Sequence, residues 1–145
     1  MSKERQRGTE FETAGVRTFH AAGYTGAHRN ALHGKDDIGD IGGVVMNGHE
    51  LAIECKNEKA YHVGEWLNEV REEQLNAGAD AGIVLFHQRG KGFREVQGML
   101  QQPVLMTLGD LFKIAEGQYT ETGDALDRIA RIIEEARERI EDMEG

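Results

Sequence analysis

Three residues in the first half of the chain have the types and spacing for hydrolytic chemistry: Asp40, Glu54 and Lys56. Glu54 and Lys56 lie in Glu50–Lys56, where Leu51, Ile53 and Cys55 alternate with Ala52, Glu54 and Lys56. Period two puts each set on its own face of a strand. The first set makes a core face. The second sets a carboxylate beside an ammonium, an arrangement that needs a reason, because charges are seldom buried unless paired or bound to a metal. Asn47-Gly48 is a hairpin turn signal, so the segment Ile38–Met46 folds back antiparallel and carries Asp40 toward Glu54. An acid, a hairpin, then an acid and a lysine two residues apart suit a divalent cation with a general-base or charge-stabilising lysine beside it. The plain alternative is a salt pair on an open sheet face, which contributes only about 0–1 kcal/mol and explains little. Asp36 and Asp37 compete with Asp40; the apolar Ile38 and Ile41 on either side of Asp40 favour it as the strand-borne acid.

These side chains need a scaffold, and the hydrophobic pattern supplies one. Thr9–Ala22 reads as a helix with Phe11, Ala14, Gly15, Phe19 and Ala22 on one stripe and Gly23 as its stop. Glu12 lies beside that stripe in line with Val16 and Phe19, where it can look along the core edge toward the sheet; Glu10 is its rival. Tyr24–Arg29 reads as a first strand, followed by a loop from Asn30 to Asp37 rich in glycine, histidine and charge. A second helix is expected over Gly64–Asn76, with Trp66, Leu67, Val70 and Gln74 at helical spacing, Trp66 in the core and Gly78 as the end signal. The apolar run in Ala81–His87 is short enough for a buried central strand. Phe93–Gln97 is read as the next strand, Val104–Thr107 as an edge strand after Pro103, and Leu108–Ala115 as a short helix with Leu111, Phe112 and Ala115 inward. In the last stretch, Leu126, Ile129, Ile133, Ala136, Ile140 and Met143 follow a 3, 4, 3, 4, 3 spacing, the seam of a coiled coil, with Thr122 or Asp124 as its cap.

Taken in chain order, these pieces resemble the signature of the PD-(D/E)xK nuclease superfamily. Asp40 in Asp-Ile-Gly-Gly and Glu54 and Lys56 in Ile-Glu-Cys-Lys carry the likeness, with Gly39 where the pattern has proline. Within that superfamily the chain is most similar to the archaeal and phage Holliday junction resolvases, through Gly8 to Glu12 in the first helix and Gly23-Tyr24 at its end. The likeness spans roughly Arg5 to Ala115. It implies a restriction-endonuclease-like core, here an α/β domain over residues 1–118 with a mixed sheet of about five strands flanked by helices. Residues 119–145 form a separate C-terminal amphipathic helix. It also implies Glu12, Asp40, Glu54 and Lys56 as catalytic residues. The three carboxylates, joined by the backbone carbonyl of Cys55, would hold Mg2+ or Mn2+, and Lys56 would orient or deprotonate the attacking water. Arg29 becomes a phosphate contact, and Gln74 a residue near the active site. The expected activity is metal-dependent cleavage of branched DNA, a four-way junction or a flap. Other endonuclease or exonuclease activity on the same fold, or a non-catalytic DNA-binding or assembly module, are the alternatives.

Composition bounds this reading. At 145 residues and 39% apolar content, the chain suits one core. It shows neither a membrane-length apolar run nor a secretory signal, so a soluble, cytoplasmic protein is expected. The one cysteine, Cys55, excludes an internal disulfide and reads as a small buried hydrophobe; the six histidines lack zinc spacing. The net charge of −9 weighs against nucleic acid, but residues 121–145 carry −5 of it. Cations gather where a DNA strand could pass: Lys3, Arg5 and Arg7; Arg29 and Lys35; Lys56 and Lys59; Arg89, Lys91 and Arg94. A homodimer paired through the last helix is favoured over packing in cis or docking a partner, because a four-way junction has twofold symmetry and needs two cuts.

Overall fold

A computed structural model describes residues 2–31, 36–116 and 124–144, the last helix with side chains from Ile129 onward. Helix α1 (Lys3–Ala21) begins six residues before the expected start, because Ser2 caps it: its Oγ accepts from the Arg5 N–H at 3.2 Å, and Glu4 sits in the positive first turn. Strands β1 (His28–Arg29), β2 (Ile41–Gly42), β3 (Val45–Met46) and β4 (His49–Lys56) form an antiparallel set, with β3 turning into β4 at Asn47-Gly48, both at positive φ as the tight hairpin requires. Helix α2 (Val63–Ala77) then crosses over to β5 (Ala81–Phe86), which runs parallel to β4, and β6 (Val104–Leu105) closes the other edge antiparallel. The sheet is therefore mixed and six-stranded, ordered β1-β2-β4-β5-β6 with β3 on β4.

Both faces of the sheet are covered. Phe11 and Ala14 of α1 pack on Leu51, Ile53, Ile83 and Leu85, while Trp66 and Val70 of α2 pack on Val84. Trp66 is core, as its place on the helical stripe predicts. The second cover changes the reading of β4: Ala52 and Glu54 are buried under α2 instead of lying on an open face. Glu54 is thus an internal carboxylate, and the surface salt pair is excluded.

The first strand shrinks from 24–29 to two residues because the chain must cross itself there: a Cβ at Gly43 would lie 2.1 Å from the Gly26 carbonyl oxygen, so two glycine backbones meet without a ladder. Phe93–Gln97 is not a strand. Phe93 is a buried loop residue and Val96–Met99 forms a one-turn helix, α3. The buried Gln102 amide donates to the carbonyls of Lys91, Gly92 and Gly98 and its oxygen accepts from the Gln88 N–H, so backbone groups that a neighbouring strand would satisfy are satisfied by one side chain. In α4 (Leu108–Glu116), Ile114 packs against the core, while Leu111, Phe112 and Ala115, expected inward, are exposed together with Leu108. Helix α5 runs over Asp124–Glu144. Thr122 lies outside the described residues, as do the side chains of Asp124 and Leu126. No described helix is long and apolar enough to cross a membrane.

Candidate active site

The site is built where β2 meets β4 between the two covering helices. Asp40 sits at the start of β2, and three backbone bonds fix it there. Its N–H donates to the Ile53 carbonyl at 2.8 Å, its carbonyl accepts from the Asn30 N–H at 2.9 Å, and its Oδ2 accepts from the Cys55 N–H at 2.7 Å. Gly39 makes this approach possible: at φ +93° it lies so close to β4 that a Cβ would stand 2.9 Å from the Ile53 carbonyl oxygen. The position that departs from the resembled motif is therefore one where only glycine fits.

From α1, Glu12 reaches Asp40, while Arg29 on β1 holds Glu12 through Nη2 at 2.8 Å and Nε at 2.9 Å. Its rival Glu10 turns the other way and pairs with Arg94 at 2.9 Å. Glu54 follows Asp40 in the same row of acids, and beyond it, from α2, comes Glu73. Asp37 joins at this end: one oxygen each from Asp37, Glu54 and Glu73 lie within 4.8 Å of one another, a triad with the all-oxygen donor set that hard cations such as Mg2+ or Mn2+ take. Glu54 and Glu73 are 5% and 2% exposed. Among the described residues, Oε2 of Glu54 and both carboxylate oxygens of Glu73 have no hydrogen-bond donor other than a proton shared between the two acids. Buried anionic oxygens without donors are costly, so the cluster fits a cation.

Comparison of the chain with protein-family models, with curated proteins and with solved structures gives no match. The site's chemistry is therefore read from its own geometry.

Burial first, and then neighbouring acids, raises every carboxyl in the row. Asp40 is pushed up to about 8 by burial and by Glu54. Glu54 is pushed up to about 9 by burial and Glu73, with Asp40's hydrogen bond and Lys56 pulling the other way. Glu73 is pushed up to about 7 by burial and by the charges of Asp37, Glu69 and Asp40, with its hydrogen bond to Glu54 pulling the other way. Glu12 is raised by burial and Asp40 against the counter-pull of Arg29. Without a cation the row holds protons near neutrality; with one, it ionises.

Lys56, two residues past Glu54, extends its ammonium to Glu69 of α2 at 2.8 Å and to Glu58 at 3.9 Å. Burial lowers its pKa, but the bond to Glu69 and the charges of Glu54, Glu69 and Glu58 outweigh that and raise it above the usual lysine value. Lys56 is thus an ammonium at neutral pH, suited to stabilising negative charge and not to removing a proton. Cys55 donates its backbone N–H to Asp40, and burial pushes its thiol well above the ordinary range, so the sulfur is chemically quiet.

Two site residues escaped the sequence reading. Glu73, and not Gln74, faces the acids; Gln74 donates to the Asp80 carbonyl and lines a surface pocket with Arg71, Asp110 and Lys113. The signal was present: Trp66, Val70 and Glu73 share one stripe of α2, and an acid on a buried stripe is anomalous. Glu69 was missed for a different reason, since only the packing of α2 over β4 brings it to Lys56.

Of the expected DNA contacts, Arg7 and Lys59 line a cleft that opens beside Cys55 and Lys56, and continue, with Arg89 and Arg94, into a second one beside His87. Lys91 is exposed on the neighbouring turn. Arg29 is engaged with Glu12, and Lys35 lies outside the described residues. Asp36 is exposed and is not part of the triad.

Proposed function

We propose that this chain is a metal-dependent, structure-specific DNA endonuclease, a Holliday junction resolvase that hydrolyses phosphodiester bonds in branched DNA, on a restriction-endonuclease-like core. The observation that carries this reading is the convergence of Glu12, Asp40 and Glu54, which start on a helix and two strands, into one row of buried and half-buried acids, with the Lys56 ammonium held on Glu69 near enough to feel the charge of Glu54. The helix, antiparallel strands, crossover helix and parallel strand that bring them together support the core assignment.

In this reading Asp40 and Glu54, with Glu12 and the Cys55 carbonyl, hold Mg2+ or Mn2+. When bound, the ion supplies charge neutralisation at the scissile phosphate and a nucleophile at neutral pH. The chain's own residues do the rest. The Cys55 N–H and Arg29 orient Asp40 and Glu12, so the carboxylates are positioned before substrate arrives. Lys56, steadied by Glu69, places a fixed positive charge where the phosphate becomes more negative. Arg7, Lys59, Arg89 and Arg94 along the clefts beside Lys56 receive the backbone of the incoming strand.

A homodimer completes the proposal. Ile129, Ile133, Ile140 and Met143 of α5 are all more than half exposed, an apolar seam that a second copy would cover.

The test uses a labelled four-way junction, a flap, a linear duplex and a single strand, each incubated with Mg2+ or Mn2+ and with wild type or Lys56→Ala. The expected result is cleavage confined to the branched substrates, falling by about 10²–10³ in the variant. Binding without cleavage by both proteins contradicts the enzyme reading and favours a DNA-binding module.

A further inference from the structure

We infer that Tyr61, in the loop that joins β4 to α2, is a stacking platform for an unpaired base at the branch of the bound DNA. The choice of DNA as ligand rests on the branched-DNA reading above; the placing of Tyr61 rests on the fold alone.

β4 ends at Lys56 and α2 begins at Val63, so residues 57–62 cross the end of the sheet beside the Lys56 ammonium. Lys56 pairs with Phe86 across the parallel β4–β5 ladder, so the two side chains leave the same face of the sheet. That face is the one under α2, where Phe86 packs with Trp66 and where Lys56 meets Glu69. Tyr61 stands against this Phe86, ring centroids 5.2 Å apart and edge-on at 70°, and against Trp66 at 6.0 Å. Two residues earlier in the same loop, Lys59 lines the cleft with Arg7, Lys56 and Asn57. A pinned aromatic ring is thus set at the side of a cationic cleft.

The aromatic cluster does not need the outer half of that ring. Trp66 is 2% exposed beneath it, whereas Tyr61 is 47% exposed. A single exposed apolar side chain is ordinary; Tyr61 differs in being held by two rings and neighboured by cations. A ring already fixed loses little conformational freedom when a base lands on it. Every base has a π-face to offer, and a basic groove with an aromatic platform is the combination that receives unpaired nucleotides. Bases inside a linear duplex are stacked on their neighbours and gain nothing from Tyr61. A base left unpaired at a flap or opened at a crossover gains a stack, so Tyr61 favours branched DNA within a single chain, whatever the assembly.

The experiment measures affinity in chelator for a flap and for the same flap made abasic at its first unpaired position, with a linear duplex as reference. Full-length wild type, Tyr61→Phe and Tyr61→Leu are compared. Leucine keeps an apolar cover over Trp66 and removes the aromatic face, and the emission of Trp66, the one tryptophan, reports that the cluster stays closed. Wild type and Tyr61→Phe are expected to bind the intact flap about tenfold tighter than the abasic one. Tyr61→Leu should bind the two flaps alike, and all three proteins should bind the duplex equally. Equal affinity of wild type for the two flaps overturns the inference, as does a Tyr61→Leu protein that still tells them apart; Tyr61 is then only a cover for Trp66. Cleavage of the flap in Mg2+ by the same preparations separates the two claims. A base-dependent affinity without cleavage leaves the platform standing and removes the nuclease reading, whereas cleavage with equal affinities does the reverse.

Discussion

At the scale of single residues, the site's most informative property is that its carboxylates are buried together. Asp40, Glu54 and Glu73 all hold their protons to higher pH in the folded chain than an unfolded carboxyl does, with values of about 8, 9 and 7. Between roughly pH 4, where an unfolded carboxyl titrates, and those values, the folded state binds more protons than the unfolded state. The stability of the metal-free protein therefore falls as pH rises across that window. Thermal melts in chelator from pH 5 to pH 9 should show a steadily decreasing midpoint, and Glu54→Gln or Glu73→Gln should flatten the slope. Saturating Mg2+ should restore the midpoint most at the alkaline end, because a bound cation replaces the protons. A midpoint that rises with pH in chelator would mean that the acids are not crowded as described. Asp40, Glu54 and Lys56 were legible in the sequence because alternation and the Asn47-Gly48 turn fix their register. Glu73 was not, since whether an acid on a helix faces water or another acid is decided by what the helix covers.

At the scale of elements, local signals were read well where one pattern dominated and badly where side chains replaced the ladder. The α2 and β5 segments follow their apolar periodicity to within about one residue at each end, as amphipathic elements packed on one core do. The segment 93–97 failed because β propensity in Phe93 and Val96 says nothing about a buried glutamine at 102 that takes over the backbone bonding. Gln102→Ala should accordingly leave the Gly92 carbonyl and the Gln88 N–H without their partner, while Lys91 keeps His87 and Gly98 keeps the Gln101 N–H, and cost about 1–3 kcal/mol, read as a shift in the urea midpoint. Gly98→Ala should destabilise the same turn, because the added Cβ would stand 2.3 Å from the Gly92 carbonyl oxygen. A wild-type midpoint in both variants would show that this loop is not held as described. The outward turn of Leu108, Leu111 and Phe112 on α4 has the same lesson: an apolar stripe identifies a helix but does not say which of its faces the domain covers.

At the scale of the whole molecule, charge is unevenly distributed along the chain. Residues 121–145 carry −5 of the net −9, and the clefts beside Lys56 gather Arg7, Lys59, Arg89 and Arg94. A charge reversal such as Arg89→Glu should weaken junction binding and reduce its salt dependence, whereas neutralising acids of α5 should not. The seam of α5 makes the prediction for assembly. Ile133→Glu with Ile140→Glu should convert a dimer to a monomer in sedimentation equilibrium, and a wild-type protein that sediments as a monomer at tens of micromolar would contradict pairing through this helix. What joins the three scales is the claim that the buried row of acids exists to hold a cation against a phosphodiester. The most direct test is the single-turnover rate of four-way-junction cleavage in Mg2+ for wild type and Glu54→Gln, with junction binding measured in parallel. The account predicts a loss of about 10²-fold or more with binding retained; Glu54→Gln cutting at the wild-type rate would contradict it.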